Sequence, residues 1–135
     1  MKKPLLWLLL GVIAFDFGIT LLGQPTTYWS DPQTAREANP LFAWFMVRGL
    51  GVYLGFVLAY LIGVAALVRS LPRAIGTIVG LVFLLAHYFA GCTWLSLRFD
   101  LGMLGPIAYA AVIATALVTI VQGKRSADCL GDPEA

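Results

Sequence analysis

The chain has 135 residues, enough for one domain, and 60% of them are hydrophobic while only 12% are charged. A water-soluble domain of this size carries about twice that charged fraction, so much of the apolar surface must face lipid. A net charge of +2 with no long basic run excludes a nucleic-acid partner, and two cysteines, Cys92 and Cys129, are too few and too far apart for a disulfide framework or a zinc site and read as free thiols.

Four apolar stretches follow one another: about 5–23, 41–68, 74–96 and 103–121. Each is long enough to cross a hydrocarbon layer of roughly 30 Å at about 1.5 Å per helical residue. They are continuous rather than alternating, which argues against spanning strands. Lys2 and Lys3 ahead of the first stretch also suit a secretory signal, but the stretch is long, contains Asp16 and lacks a small-x-small cleavage site before Thr26, so a retained helix is expected.

Lysine and arginine set the orientation. Four crossings put Lys2, Lys3, Arg69, Arg73, Lys124 and Arg125 on one side, and Arg36 and Arg98 on the other beside Asp31, Glu37 and Asp100. The expected fold is therefore all-α: a four-transmembrane-helix up-down-up-down bundle over residues 1–122, in the inner (cytoplasmic) membrane, with both termini cytoplasmic. Residues 123–135 read as a polar, disordered cytoplasmic tail. The second stretch would measure about 42 Å as a straight helix, too long for the bilayer. It must tilt, or 41–46 must lie in the interface before the chain turns inward near Gly49 and Gly51.

Gly51 and Gly55, and Gly76 and Gly80, have the four-residue spacing that lets helix backbones approach closely. They are expected to pack within the chain, with a homo-oligomer or another membrane subunit as the alternative partner. Trp7, Trp29, Trp44 and Trp94 fall near the ends of the spans and read as interfacial anchors.

Ionisable groups inside a span cost about 2.5–3.5 kcal/mol each on insertion scales, so they face the interior and seek partners. Counting down from the outer ends of their spans places Asp16 about 10 Å deep, Arg48 about 12 Å and His87 about 14 Å. Three helices thus contribute one ionisable residue each to one layer. Thr20 shares the face of Asp16 one turn nearer the outside. Glu37 and Asn39 stand where a carboxylate and an amide can cap the next helix, and Pro40 suits its first position. The candidate site is therefore Asp16, Thr20, Glu37, Asn39, Arg48 and His87. The leading expectation is non-enzymatic: an Asp16–Arg48 ion pair, with His87 hydrogen-bonded nearby, organises the bundle of an accessory or structural subunit. An ion, proton or small-molecule binding or transport site is the alternative. A third reading is a membrane enzyme holding a divalent metal through Asp16, Glu37 and His87, although no H-E-x-x-H, paired histidines or nucleophile motif supports it. No cofactor is predicted on the leading reading.

The stretch Asp16-Phe-Gly-Ile-Thr20, followed by Glu37-Ala38-Asn39-Pro40-Leu41 and the basic Arg48, resembles a widespread group of small bacterial and archaeal membrane proteins of unknown function. In that group an aspartate and a threonine in the first helix precede Glu-Ala-Asn-Pro-Leu at the start of the second. The likeness covers about the first 50 residues. It implies that a polar layer at the ends of helices 1 and 2 is distinctive, and it brings no known reaction.

Overall fold

The computed structural model describes residues 3–129. Five α-helices make up most of it: α1 (Lys3–Leu22), α2 (Pro40–Met46), α3 (Leu50–Ser70), α4 (Arg73–Leu97) and α5 (Leu104–Cys129). Two short 3₁₀ turns, Thr26–Trp29 and Pro32–Thr34, punctuate the segment between α1 and α2. Helices α1, α3, α4 and α5 are each long and apolar enough to cross a membrane.

The second apolar stretch does not form one helix over 41–68. Asn39 opens α2 by accepting from the backbone N–H groups of Leu41 (3.0 Å) and Phe42 (3.5 Å), with Pro40 at the first position. Seven residues later the helix stops. Gly49 has φ 101° and ψ 162°, a conformation essentially restricted to glycine, and α3 starts at the next residue. The break resolves the length conflict by leaving α3 a 21-residue span. At the other end of the chain, residues 123–129, expected to be disordered, continue α5 as helix, and 130–135 of the expected tail lie outside the described residues.

Helices α1 and α4 pack on each other more extensively than any other pair, and α3 and α5 flank them on opposite sides. Forty-four per cent of the α1 span is buried against 17% for α3 and for α5, which makes α1 the core helix and the flanking pair lipid-facing. Leu9, Val12, Ile13 and Phe17 of α1 form the spine of the core, with Leu84 from α4 and Tyr109 and Ile113 from α5 packed around them. Large apolar side chains such as Leu58, Ile62, Val82, Phe89 and Val112 point outward. In water such a surface would be a liability; in a bilayer it is the solvated face.

Of the two glycine pairs, Gly76 and Gly80 are buried, and a Cβ built on Gly76 would lie 2.5 Å from the Val68 carbonyl oxygen where α4 tucks under the last turn of α3. Gly51 and Gly55 are exposed on α3 with nothing within 4 Å of a built Cβ. They take no part in packing within the chain. Gly23, at the end of α1, is another close approach, with a built Cβ only 2.6 Å from the Trp94 ring.

Two of these positions have measurable consequences. Gly49→Ala is expected to destabilise the fold by about 1–3 kcal/mol through backbone strain, and Gly76→Ala to destabilise it through the clash with α3. Gly55→Ala should leave the monomer unaffected. Thermal melting of the three variants in one detergent gives the comparison, and an unchanged Gly49→Ala would contradict the strain described.

Candidate functional site

Position 16 of α1 and position 87 of α4 face each other across the central helix pair. The Asp16 Oδ2 atom is 2.7 Å from His87 Nδ1, and both residues are about 95% buried or more, with relative exposures of 3% and 5%. On its far side His87 places Nε2 3.0 Å from the Tyr60 hydroxyl of α3. One chain of hydrogen bonds therefore joins α1, α4 and α3. With neutral His87, Nδ1–H donates to the carboxylate and Nε2 accepts from the phenol. With a doubly protonated ring both nitrogens donate. The same three side chains serve both states without moving.

Aromatic rings enclose this relay. The Phe17 ring lies 5.4 Å from both Tyr60 and His87, 5.1 Å from Phe42 and 6.1 Å from Phe56. Helix α2 contributes Phe42 and Phe45, and Phe45 stacks on Phe56 at 4.0 Å. The short helix thus lays an aromatic cover over the polar chain, and in so apolar a setting each hydrogen bond is strengthened and each missing one made costly. Tyr53, also buried, donates to the Phe17 carbonyl oxygen at 3.3 Å and fixes that turn of α1 against α3.

Asp16 Oδ1 has no partner. It is buried, lacks any hydrogen bond, and faces the Cα of Gly91, where a built Cβ would come within 3.8 Å of it. Asp16 also forms part of the wall of a cavity of about 500 Å³ between the end of α1, the segment before α2, and α4. Thr20, Glu37, Asn39 and Phe42 line it on one side, and Thr93, Trp94 and Arg98 on the other, with Arg36 beside Glu37. Four of the six residues expected at the site, Asp16, Thr20, Glu37 and Asn39, share this cavity, and His87 supports it from behind.

Arg48 does not belong to it. The residue is exposed at the α2–α3 break, its guanidinium 3.3 Å above the Trp44 ring and its Nη1 2.8 Å from the Trp44 carbonyl oxygen. The depth expected for it assumes a continuous helix descending from Pro40, and the break at Gly49 ends that helix first. The expected Asp16–Arg48 ion pair is replaced by Asp16–His87. Trp94 also departs from expectation: it packs on Gly23 and walls the cavity rather than serving simply as an anchor.

The segment 24–39 is held in place by a buried amide. Gln24 donates through Nε2 to the carbonyl oxygens of Thr20 (3.0 Å) and Arg36 (2.9 Å), and its Oε1 accepts from the Arg36 N–H at 2.7 Å. Those three bonds return the chain to the end of α1 and set Arg36 and Glu37 at the cavity. Arg98 reaches the same point from α4, its Nε donating to the Gly23 carbonyl oxygen. The Glu37 carboxylate accepts from the Asn39 N–H at 2.7 Å. Burial raises the Glu37 pKa above its ordinary 4.5, the nearby Asp16 charge adds to the rise, and the Asn39 hydrogen bond partly opposes it.

Both nitrogens of His87 already have partners, and no group of three or more His, Cys, Asp or Glu side chains within reach of a single metal ion occurs among the described residues. Asp16, Glu37 and His87 do not converge as a ligand set. Cys92 is a free, half-buried thiol.

Gln24, Tyr60, Trp94 and Arg98 are not among the candidate site residues that the sequence offers. Tyr60 carried a usable signal: a phenol at the middle of an apolar span, far from either interfacial belt, needs a polar partner. Gln24 carried a weaker one, as an amide directly after the first span.

No family model matches the chain, and no curated protein or solved structure matches it significantly.

Two predictions follow from the geometry. His87→Ala strips Asp16 of its partner in a dry interior and should cost about 3–5 kcal/mol, Tyr60→Phe about 0.5–1.5 kcal/mol, and Arg48→Gln should change little. Reversible unfolding in mixed micelles measures that order, and an Arg48 effect as large as that of His87 would overturn the assignment. Because the Glu37 pKa is raised in the folded chain, the folded state holds this proton to higher pH than the unfolded state. Its contribution to stability is therefore lost as pH rises from about 4.5 through the raised value. Glu37→Gln should flatten that part of the melting-temperature profile, whereas an identical profile in the variant would show that Glu37 is not its source.

Proposed function

We propose that this polytopic membrane protein binds a small polar ligand in the cavity beside Asp16, the ligand donating a hydrogen bond to Asp16 Oδ1. The buried, unpartnered carboxylate oxygen carries this reading. An acceptor left unsatisfied away from water costs about 1–3 kcal/mol, more when charged, and persists where function requires it. A carboxylate serving the fold alone would be expected to use both oxygens. The adjoining space supplies further hydrogen-bonding side chains in Thr20, Glu37, Asn39 and Thr93. The Asp16–His87–Tyr60 chain holds the carboxylate in place beside the cavity. Binding or transport fits this site better than bond-making chemistry, since no nucleophile among the described residues is poised on the relay.

The distribution of lysine and arginine supports cytoplasmic termini for four crossings in up-down-up-down order, and on that reading, in the inner membrane, the cavity opens at the outer end. A role as an accessory subunit is compatible with the binding site. The exposed Gly51 and Gly55 of α3 supply a surface on which a second membrane helix, or a second copy of this chain, could pack closely.

Native mass spectrometry of the protein released from its own membrane in mild detergent tests the reading. The expected spectrum shows a small adduct that is retained by Arg48→Gln and lost from Asp16→Asn. A spectrum without an adduct, or an adduct indifferent to Asp16, would overturn it, and a stoichiometric partner chain in its place would favour the subunit role.

A further inference from the structure

Four charged side chains line the cavity, two of each sign: Asp16 and Glu37, Arg36 and Arg98. Opposite charges confined to about 500 Å³ ordinarily pair with one another. Here no carboxylate–guanidinium ion pair occurs among the described residues; Asp16 is instead paired to His87. Backbone groups take up Arg98 and Glu37 and fix the Arg36 peptide. Gln24 clamps the Arg36 peptide to the end of α1, Gly23 holds Arg98 through its Nε, and Asn39 holds Glu37 through its backbone N–H. The terminal nitrogens of Arg98, the Arg36 guanidinium and Asp16 Oδ1 are left to meet something else.

The charges are also sorted by depth. Asp16 lies within α1, while Gly23, to which Arg98 is bonded, comes seven residues later, about 10 Å further along the axis. The Arg36 peptide is fastened at that same end through Gln24. The Asp16 carboxylate thus sits at the floor, and two guanidiniums outnumber the single Glu37 carboxylate at the rim. A simple cation would be attracted by the floor and opposed at the rim, and a simple anion would meet the reverse. A molecule carrying one charge at each end satisfies both.

Resting on the binding role proposed above, we infer that the ligand is a zwitterion, its primary ammonium directed to Asp16 and its anionic group to Arg36 and Arg98. Guanidinium favours a planar or tetrahedral oxyanion, so phosphate or carboxylate suits the rim, and the Phe17 and Trp94 rings suit the short carbon link and the ammonium between the two ends. Two sources share this chemistry: the headgroup of an ethanolamine phospholipid and a soluble zwitterion.

The test uses the full chain in mild detergent and three soluble probes: phosphoethanolamine, ethanolamine and inorganic phosphate. Phosphoethanolamine should raise the melting temperature most. Arg36→Gln or Arg98→Gln should weaken its apparent affinity about tenfold or more and reduce its effect to that of ethanolamine. Asp16→Asn should reduce it to that of phosphate, and the exposed Arg36 position keeps the comparison available where the buried variant does not fold. Native mass spectra from bilayers of phosphatidylethanolamine or phosphatidylglycerol separate the sources: selective retention of the ethanolamine lipid without a soluble effect assigns the headgroup. If ethanolamine or phosphate alone matches phosphoethanolamine, the zwitterion is excluded and the binding role stands. If no probe shifts the melting temperature and neither lipid is preferentially retained, the zwitterion is overturned, and the adduct spectrum of the native-membrane protein decides the binding role separately.

Discussion

A carboxylate surrounded by hydrocarbon must obtain its hydrogen bonds from the protein, and the bond from Asp16 to His87 is the one on which this bundle turns. It crosses between α1 and α4, the two helices that pack together most closely, and continues to α3 through Tyr60. Rotation of either central helix about its axis would break it, so it fixes rotation as well as contact. Aliphatic packing alone does this poorly in lipid, because a leucine facing a helix and a leucine facing an acyl chain are in nearly equivalent surroundings.

Asp16 divides its two oxygens between two tasks. Oδ2 belongs to the relay and to the fold, while Oδ1 is left without a hydrogen bond beside Gly91. A Cβ at position 91 would press on the Tyr109 ring at 3.1 Å and reach ordinary contact with Asp16 Oδ1 at 3.8 Å. On the proposed binding role, a single carboxylate shared in this way would couple the ligand to the pairing of α1 with α4. Binding energy and helix packing are then read through the same atom group, and a ligand need not move a helix to change how firmly it is held.

The spans were legible because their signal is compositional: long apolar runs survive any error in local detail. Asp16 and His87 were legible for the opposite reason, as rare ionisable residues in those runs at matching depths. Rotation about the helix axes, which depth does not specify, happened to bring these two together. Arg48 shows where depth counting fails. Its estimated position depended on an unbroken helix, and a single glycine with positive φ at the next residue invalidates it. Gln24, Arg98 and Trp94 were hidden for another reason: their positions follow from how the loop folds back on α1, a long-range return with no periodic signature in the chain.

Ending α2 after seven residues strands the carbonyl groups of its last turn, which a continuing helix would have satisfied. Side chains take up two of them, those of Trp44 and Val47, and a third joins the Gly49 N–H on the Met46 oxygen. Tyr28 reaches the Met46 oxygen, Gln33 the Val47 oxygen at 3.0 Å, and Arg48 the Trp44 oxygen. Two of the three come from the segment between α1 and α2, so that segment is a template for the broken end as well as a connection between helices. Its length and the position of the break are therefore a single design variable. A homologue that shortens the loop would have to close the break, and one that closes the break would lose the aromatic roof that α2 lays across the relay.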